Sequence, residues 1–145
     1  MKNQFALAAA AALVAGPVFA QEASGNAEAG EKAFRQCITC HVVVNEAGET
    51  LAGRAAKVGP NLYKVPGRHA GEVEDFKYSA SMTAAGEKGL LWTEEEFVKY
   101  TMDPTGYLRE FLGDSSARGA MTHKVRKEEE SVDIYAYLVS LGVHD

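Results

Sequence analysis

Cys37-Ile38-Thr39-Cys40-His41 is the stretch on which the reading of this chain turns. Two thiols three residues apart, followed at once by a histidine, match the spacing of covalent haem c attachment. The spacing has a chemical reason. The two sulfurs form thioethers to the two vinyl-derived carbons on one porphyrin edge, and the adjacent imidazole turns under the ring to reach the iron. Cys37 and Cys40 are the only cysteines, so an all-cysteine zinc site, which needs two such pairs, is excluded. A redox-active or structural disulfide is the competing reading, but such pairs follow a strand in a βαβ unit, and no such pattern surrounds residue 37.

Upstream, residues 1–20 have the make-up of a cleaved signal peptide. Lys2 supplies the positive start, residues 5–15 are almost wholly apolar, and Val18-Phe19-Ala20 precedes Gln21 as a small-residue cleavage site. The apolar run is short for a membrane span, and no second one follows. A leader of this kind, together with a haem motif of the extracytoplasmic type, points to the bacterial periplasm. The remaining residues, 21–145, have the length of one domain. Lys2 is the leader's one charged side chain, so the net charge moves from −5 to −6 on cleavage. That acidic balance argues against nucleic acid as a partner.

Downstream, helix signals alternate with long glycine- and proline-rich stretches. Asn26 is placed to cap a first helix running towards Cys37. Val42 to Val44 could extend, and glycines and prolines from Gly48 to Gly71 then mark loops. Thr93 and Glu96 have the spacing of a capping box, with Phe97, Tyr100 and Thr101 on one face behind it. Asp103-Pro104 ends that helix and starts another, whose apolar side is Tyr107, Leu108, Phe111 and Leu112, up to Gly113. Ile134, Tyr137, Leu138 and Leu141 recur at helical spacing in a last helix over 127–141. The expected fold is all-α, with long loops of the kind that wrap a ligand.

In this order the landmarks resemble the class I c-type cytochromes, and among them the bacterial cytochrome c2 group. The resemblance rests on the haem motif, Gly59-Pro60-Asn61-Leu62, Gly67-Arg68, Phe76-Lys77-Tyr78, Trp92 with Tyr100 and Asp103-Pro104, Met121, and Ala136-Tyr137-Leu138. It implies the small cytochrome c fold around one covalently attached haem c, with His41 as the proximal ligand and Pro60 as the acceptor of its imidazole N–H. Arg68, Tyr78 and Trp92 match donors around the haem propionates, and Tyr100 the hydroxyl near the axial methionine. Gly30 and Phe34 match the crossing of the first helix with the last at Tyr137. After leader removal Met82, Met102, Met121 and His123 compete for the sixth position, and Met121, in a polar loop between helices, is the expected ligand. The segment departs from the family at Gly119, Ala120 and His123, where many members carry a donor, a lysine and an aromatic.

The resemblance further implies a monomeric one-electron carrier, not an enzyme, shuttling from a cytochrome bc complex to a photosynthetic reaction centre or terminal oxidase. Rival readings are a secondary isoform, a haem enzyme with an open distal position, and a gas-binding protein whose sixth ligand is weak. A di-haem peroxidase would need a second attachment motif, and a cytochrome c′ carries its motif near the C-terminus.

Overall fold

Asn26 turns the chain into its first helix: its side chain accepts the Ala29 N–H, as an N-cap should. In the computed structural model, which describes residues 22–142, helix α1 spans Ala27–Ala33 and tightens into a 3₁₀ turn over Phe34–Gln36. A two-stranded antiparallel ribbon follows, β1 Val43–Val44 and β2 Thr50–Ala52. Four further helices follow among the described residues: α2 Ala80–Glu87, α3 Glu94–Met102, α4 Pro104–Leu112 and α5 Glu128–Gly142. The leader assigned to residues 1–20 lies outside the described residues. Among the described residues, no helix is long and apolar enough to cross a membrane.

The first and last helices meet where α1 crosses α5. A Cβ on Gly30 would stand 2.5 Å from the Asp133 carbonyl carbon and 2.8 Å from Tyr137 Cβ, so only glycine lets the backbones come this close. The rings of Phe34 and Tyr137 pack one turn away, 5.6 Å apart. The Asp133 carboxylate accepts the Asn26 backbone N–H across the crossing. Ile134 and Leu138, from the stripe expected on α5, are buried, as is Tyr135, whose hydroxyl donates to the Trp92 carbonyl.

The α3–α4 corner follows the sequence closely. Asp103 caps α4 through Gly106 N–H, Pro104 occupies its first turn, and Gly113 ends it in the left-handed region at φ 63°. The capping box is half formed. Thr93 Oγ1 accepts the Glu96 N–H, but the Glu96 carboxylate turns away to the Tyr107 hydroxyl on α4. A phenol that leaves water on burial needs an acceptor, and this pairing outcompetes the local one.

Strand β2 lies in the stretch read as loops, and helix α2 in the interval before Thr93 for which no element is expected. Ser79 caps α2 by accepting the Met82 N–H, and Gly86 lets the helix lie against the backbone of Ala70.

Candidate functional site

The turn after α1 is built by its own backbone. Cys37 N–H donates to Phe34 O, and Cys40 and His41 N–H groups both donate to Cys37 O. This folds the two sulfurs and the imidazole back into one region, and all three residues line a single cleft. Burial, reinforced by Cys40, pushes the Cys37 thiol up to about 12. A thiolate is therefore disfavoured there, whereas an uncharged sulfur, as in a thioether, suits the site.

His41 is fixed from two sides. Its Nδ1 lies 2.9 Å from the Pro60 carbonyl oxygen, which can only accept, so Nδ1 carries the proton and Nε2 keeps its lone pair. Burial lowers the imidazole pKa, which preserves this neutral, metal-binding form. Gly59 packs against the ring. A Cβ there would fall 2.6 Å from Nδ1 and 2.7 Å from Nε2.

The loop that carries Pro60 is in turn clamped to β1. The Asn61 side chain accepts from Val44 N–H and donates to Val44 O, while Leu62 N–H donates to Val42 O. Gly59 N–H closes the circuit on Cys40 O at 2.7 Å.

Most of the residues named from the sequence converge on the same cleft: Cys37, Cys40, His41, Pro60, Tyr78, Trp92, Tyr100 and Met121. Arg68 does not line it. Its guanidinium donates to the carbonyls of Tyr63 and Asn61, bracing the loop behind Pro60. The Tyr78 hydroxyl accepts from Val73 N–H, and burial pushes Tyr100 up to about 12. Leu62, Val65, Phe97, Val125 and Ile134 make the rest of the wall largely apolar.

Three of the candidates for the sixth position share this cleft. Met121 and His123 reach it from the loop between α4 and α5, and Met82 from α2. Met82 is a helical residue within the core. Met102 does not line the cleft.

The Met121 loop is laced to four other segments. Arg118 N–H donates to Ser81 Oγ, Gly119 N–H to Thr105 Oγ1, and Val125 N–H to Thr101 O, while the Ala117 carbonyl accepts from Arg109 Nε. His123 Nε2 lies 2.9 Å from Gln36 Oε1, beside the cysteine turn. Ser81, Thr105 and Gln36 were not singled out from the sequence. Isolated hydroxyls and an amide on three different segments leave no contiguous signal.

The donor set fits a flat, largely apolar iron cofactor attached at one edge. Two sulfurs and an imidazole with a free Nε2 come from one turn, a thioether comes from a tethered loop, and the walls between are apolar. Among the described residues, no three of His, Cys, Asp and Glu are grouped so as to hold a metal ion by themselves. With the two strands antiparallel, the βαβ setting of a redox disulfide is missing from the described residues as well.

No family model matches the chain. Individual relatives do. Cytochrome c2 of Rhodovulum adriaticum is 78% identical over 124 residues, covering 86% of this chain and 98% of that protein. Cytochrome c2 of Cereibacter sphaeroides is 55% identical over 139 residues, covering 95% and 94%. The crystal structure of cytochrome c2 from Rhodobacter sphaeroides superposes with a TM-score of 0.82 at 54% identity, over 84% of this chain and all of that one. A cleft suited to a thioether-linked haem, in a fold and sequence shared over most of the chain with these proteins, places it in the cytochrome c2 family of electron-transfer proteins, with one covalently attached haem c as its cofactor.

Proposed function

We propose that this protein is a monomeric one-electron carrier of the bacterial periplasm, its iron ligated by His41 and Met121. In this reading it takes electrons from a membrane cytochrome bc complex and delivers them to a photosynthetic reaction centre or terminal oxidase. The observation that carries the ligand assignment is the cleft shared by His41, with its Nδ1 committed to Pro60, and Met121, on its tethered loop. The periplasmic assignment rests on the leader-like residues 1–20, and the partners on the family resemblance.

Bound haem supplies a ferric/ferrous couple, and His/Met ligation raises its potential relative to bis-histidine. The chain's own residues do the rest. Cys37 and Cys40 anchor one edge, Pro60 holds the imidazole tautomer and strengthens His41 as a ligand, and the apolar wall excludes water. Tyr78 and Trp92 are assigned to the propionate side and Tyr100 to the neighbourhood of Met121, while Arg68 braces that region from behind. Were His41 and Met121 both to ligate the iron, it would keep no open site for oxygen or peroxide chemistry.

The test is the near-infrared methionine-to-iron charge-transfer band of the ferric protein. Met121→Ala should abolish the band, lower the potential and admit carbon monoxide. Met102→Leu and Met82→Leu should keep the band. A band that survives in the Met121 variant would overturn the assignment.

Docking is expected to be electrostatic but weak. The resemblance assigns Lys57, Lys64, Arg109, Arg118, Lys124, Arg126 and Lys127 to the side of the haem edge. Several are already committed: Lys64 to Glu46 at 3.3 Å, Lys124 to Asp103 at 2.8 Å, and Lys127 to Glu130 at 3.6 Å. Ala120, at the cleft, holds the position of a family lysine. Second-order rates with an acidic redox partner should fall as salt rises, since exposed charges are screened over roughly 10 Å at 0.1 M. Ala120→Lys should raise the low-salt rate, and a flat profile would remove the basic face from the reading.

A further inference from the structure

A line of aromatic rings leads away from the cofactor cleft. Trp92 and Tyr100 line the cleft, with ring centroids 5.0 Å apart. Tyr107 stands behind Tyr100 at 6.0 Å, edge to face, and is 7% exposed. Its hydroxyl donates to Glu96 Oε2, from the first turn of α3. Lys99 Nζ lies 3.9 Å from the other Glu96 oxygen. Among the described residues the Tyr100 hydroxyl, nearer the cleft, makes no hydrogen bond to a carboxylate.

A phenol is hard to oxidise while it keeps its proton, because the radical cation formed is a very strong acid. It becomes a usable electron donor when a base already holds the proton's destination. Tyr107 has that arrangement. Burial and the surrounding acids Glu96, Glu110 and Glu95 all raise its pKa, so loss of the proton alone is disfavoured. Loss of an electron is eased by the same negative charges, and the two losses become favourable together.

We propose that Tyr107 and Glu96 form a proton-coupled redox site, joined to the cofactor cleft through Tyr100 and Trp92, that gives up an electron to one-electron oxidants stronger than a phenol. In the step, Tyr107 loses one electron to the oxidant, and its O–H bond breaks with the proton passing to the Glu96 carboxylate. The products are a neutral tyrosyl radical, a protonated Glu96 and the reduced oxidant. Return of an electron draws the proton back to Tyr107. Such a site confines an oxidising equivalent to one buried, reversible position and spares the thioether of Met121, whose oxidation to sulfoxide needs an enzyme to reverse it.

The experiment uses the ferric holoprotein with photo-oxidised ruthenium tris(bipyridine) as the oxidant. Radical formation is followed by transient absorption and by electron paramagnetic resonance of frozen samples. The wild-type protein should give a neutral tyrosyl signal with a solvent deuterium isotope effect on its rate of formation. Tyr107→Phe, which keeps the ring, should lose that signal. Glu96→Gln, which keeps the shape but not the base, should slow radical formation about a hundred-fold, the low end of what a positioned base contributes. An unchanged tyrosyl signal in Tyr107→Phe would place the radical elsewhere and overturn the proposal. Equal rates for wild type and Glu96→Gln would reduce the Tyr107–Glu96 bond to a tie between α3 and α4. The isotope effect is read on the wild type, so its absence also overturns the proposal even if a variant fails to fold.

Discussion

Gly30→Ala should lower the melting temperature of the holoprotein by roughly 10 °C, on the scale of a few degrees per kcal/mol for a domain of this size. The sign runs against helix propensity, since alanine in a helix interior is better than glycine by about 1 kcal/mol. Here the added methyl would overlap the Asp133 carbonyl and crowd Tyr137 Cβ, neither of which is the far end of a flexible side chain. Helix α1 would have to lift from α5, breaking the bond from Asn26 N–H to Asp133 and loosening the Phe34–Tyr137 contact. Overpacking of this kind costs about 3 kcal/mol, and sometimes more. Thermal unfolding followed by circular dichroism decides the matter, and an unchanged or higher midpoint would show that the crossing tolerates a side chain.

Gly59→Ala should act on the iron site. The new methyl would meet the face of the His41 ring, and the ring cannot move away without stretching its bond to Pro60. Groups that orient a ligand in this way are worth about 10–100-fold in metal affinity or activity when lost. The ferric low-spin resonance should broaden or split as His41 samples more than one orientation, with a smaller yield of holoprotein. The distant Gly48→Ala variant is the control, because nothing lies within 4 Å of a Cβ there, although its φ of 80° still imposes backbone strain. Identical spectra for wild type and Gly59→Ala would show that the ring is not held from this side.

The sequence carries the site best where its parts are contiguous. The cysteine turn and Asp103-Pro104 each act within a few residues, so spacing alone exposes them, whereas Pro60 meets His41 from across the chain and is marked only by the family resemblance. The last helix is legible because Ile134 and Leu138 face the core at helical spacing. Helix α2 is not, since its residues are mostly small and its interior holds a glycine that a propensity reading counts against it. That glycine is there for contact with Ala70, a fact of tertiary packing. Glu96 misleads for a similar reason: its spacing to Thr93 is right for a capping box, yet a tyrosine from the next helix claims the carboxylate. Arg68 is expected from the resemblance beside the haem propionates, but it does not line the cleft, and its guanidinium donates to the carbonyls of Tyr63 and Asn61.

The tethers on the Met121 loop grip its backbone. The groups held are the N–H of Arg118, Gly119 and Val125 and the carbonyl of Ala117, and the hydroxyls that hold two of them belong to α2 and α4. The outward-pointing side chains of this loop are therefore free to change without unfastening the methionine. Ala120, which takes no part in these bonds, can be read as a substitution on an independent mounting, whereas the His123 ring is itself tied to Gln36. A lineage could alter partner preference here over evolutionary time while its redox centre stays as it was.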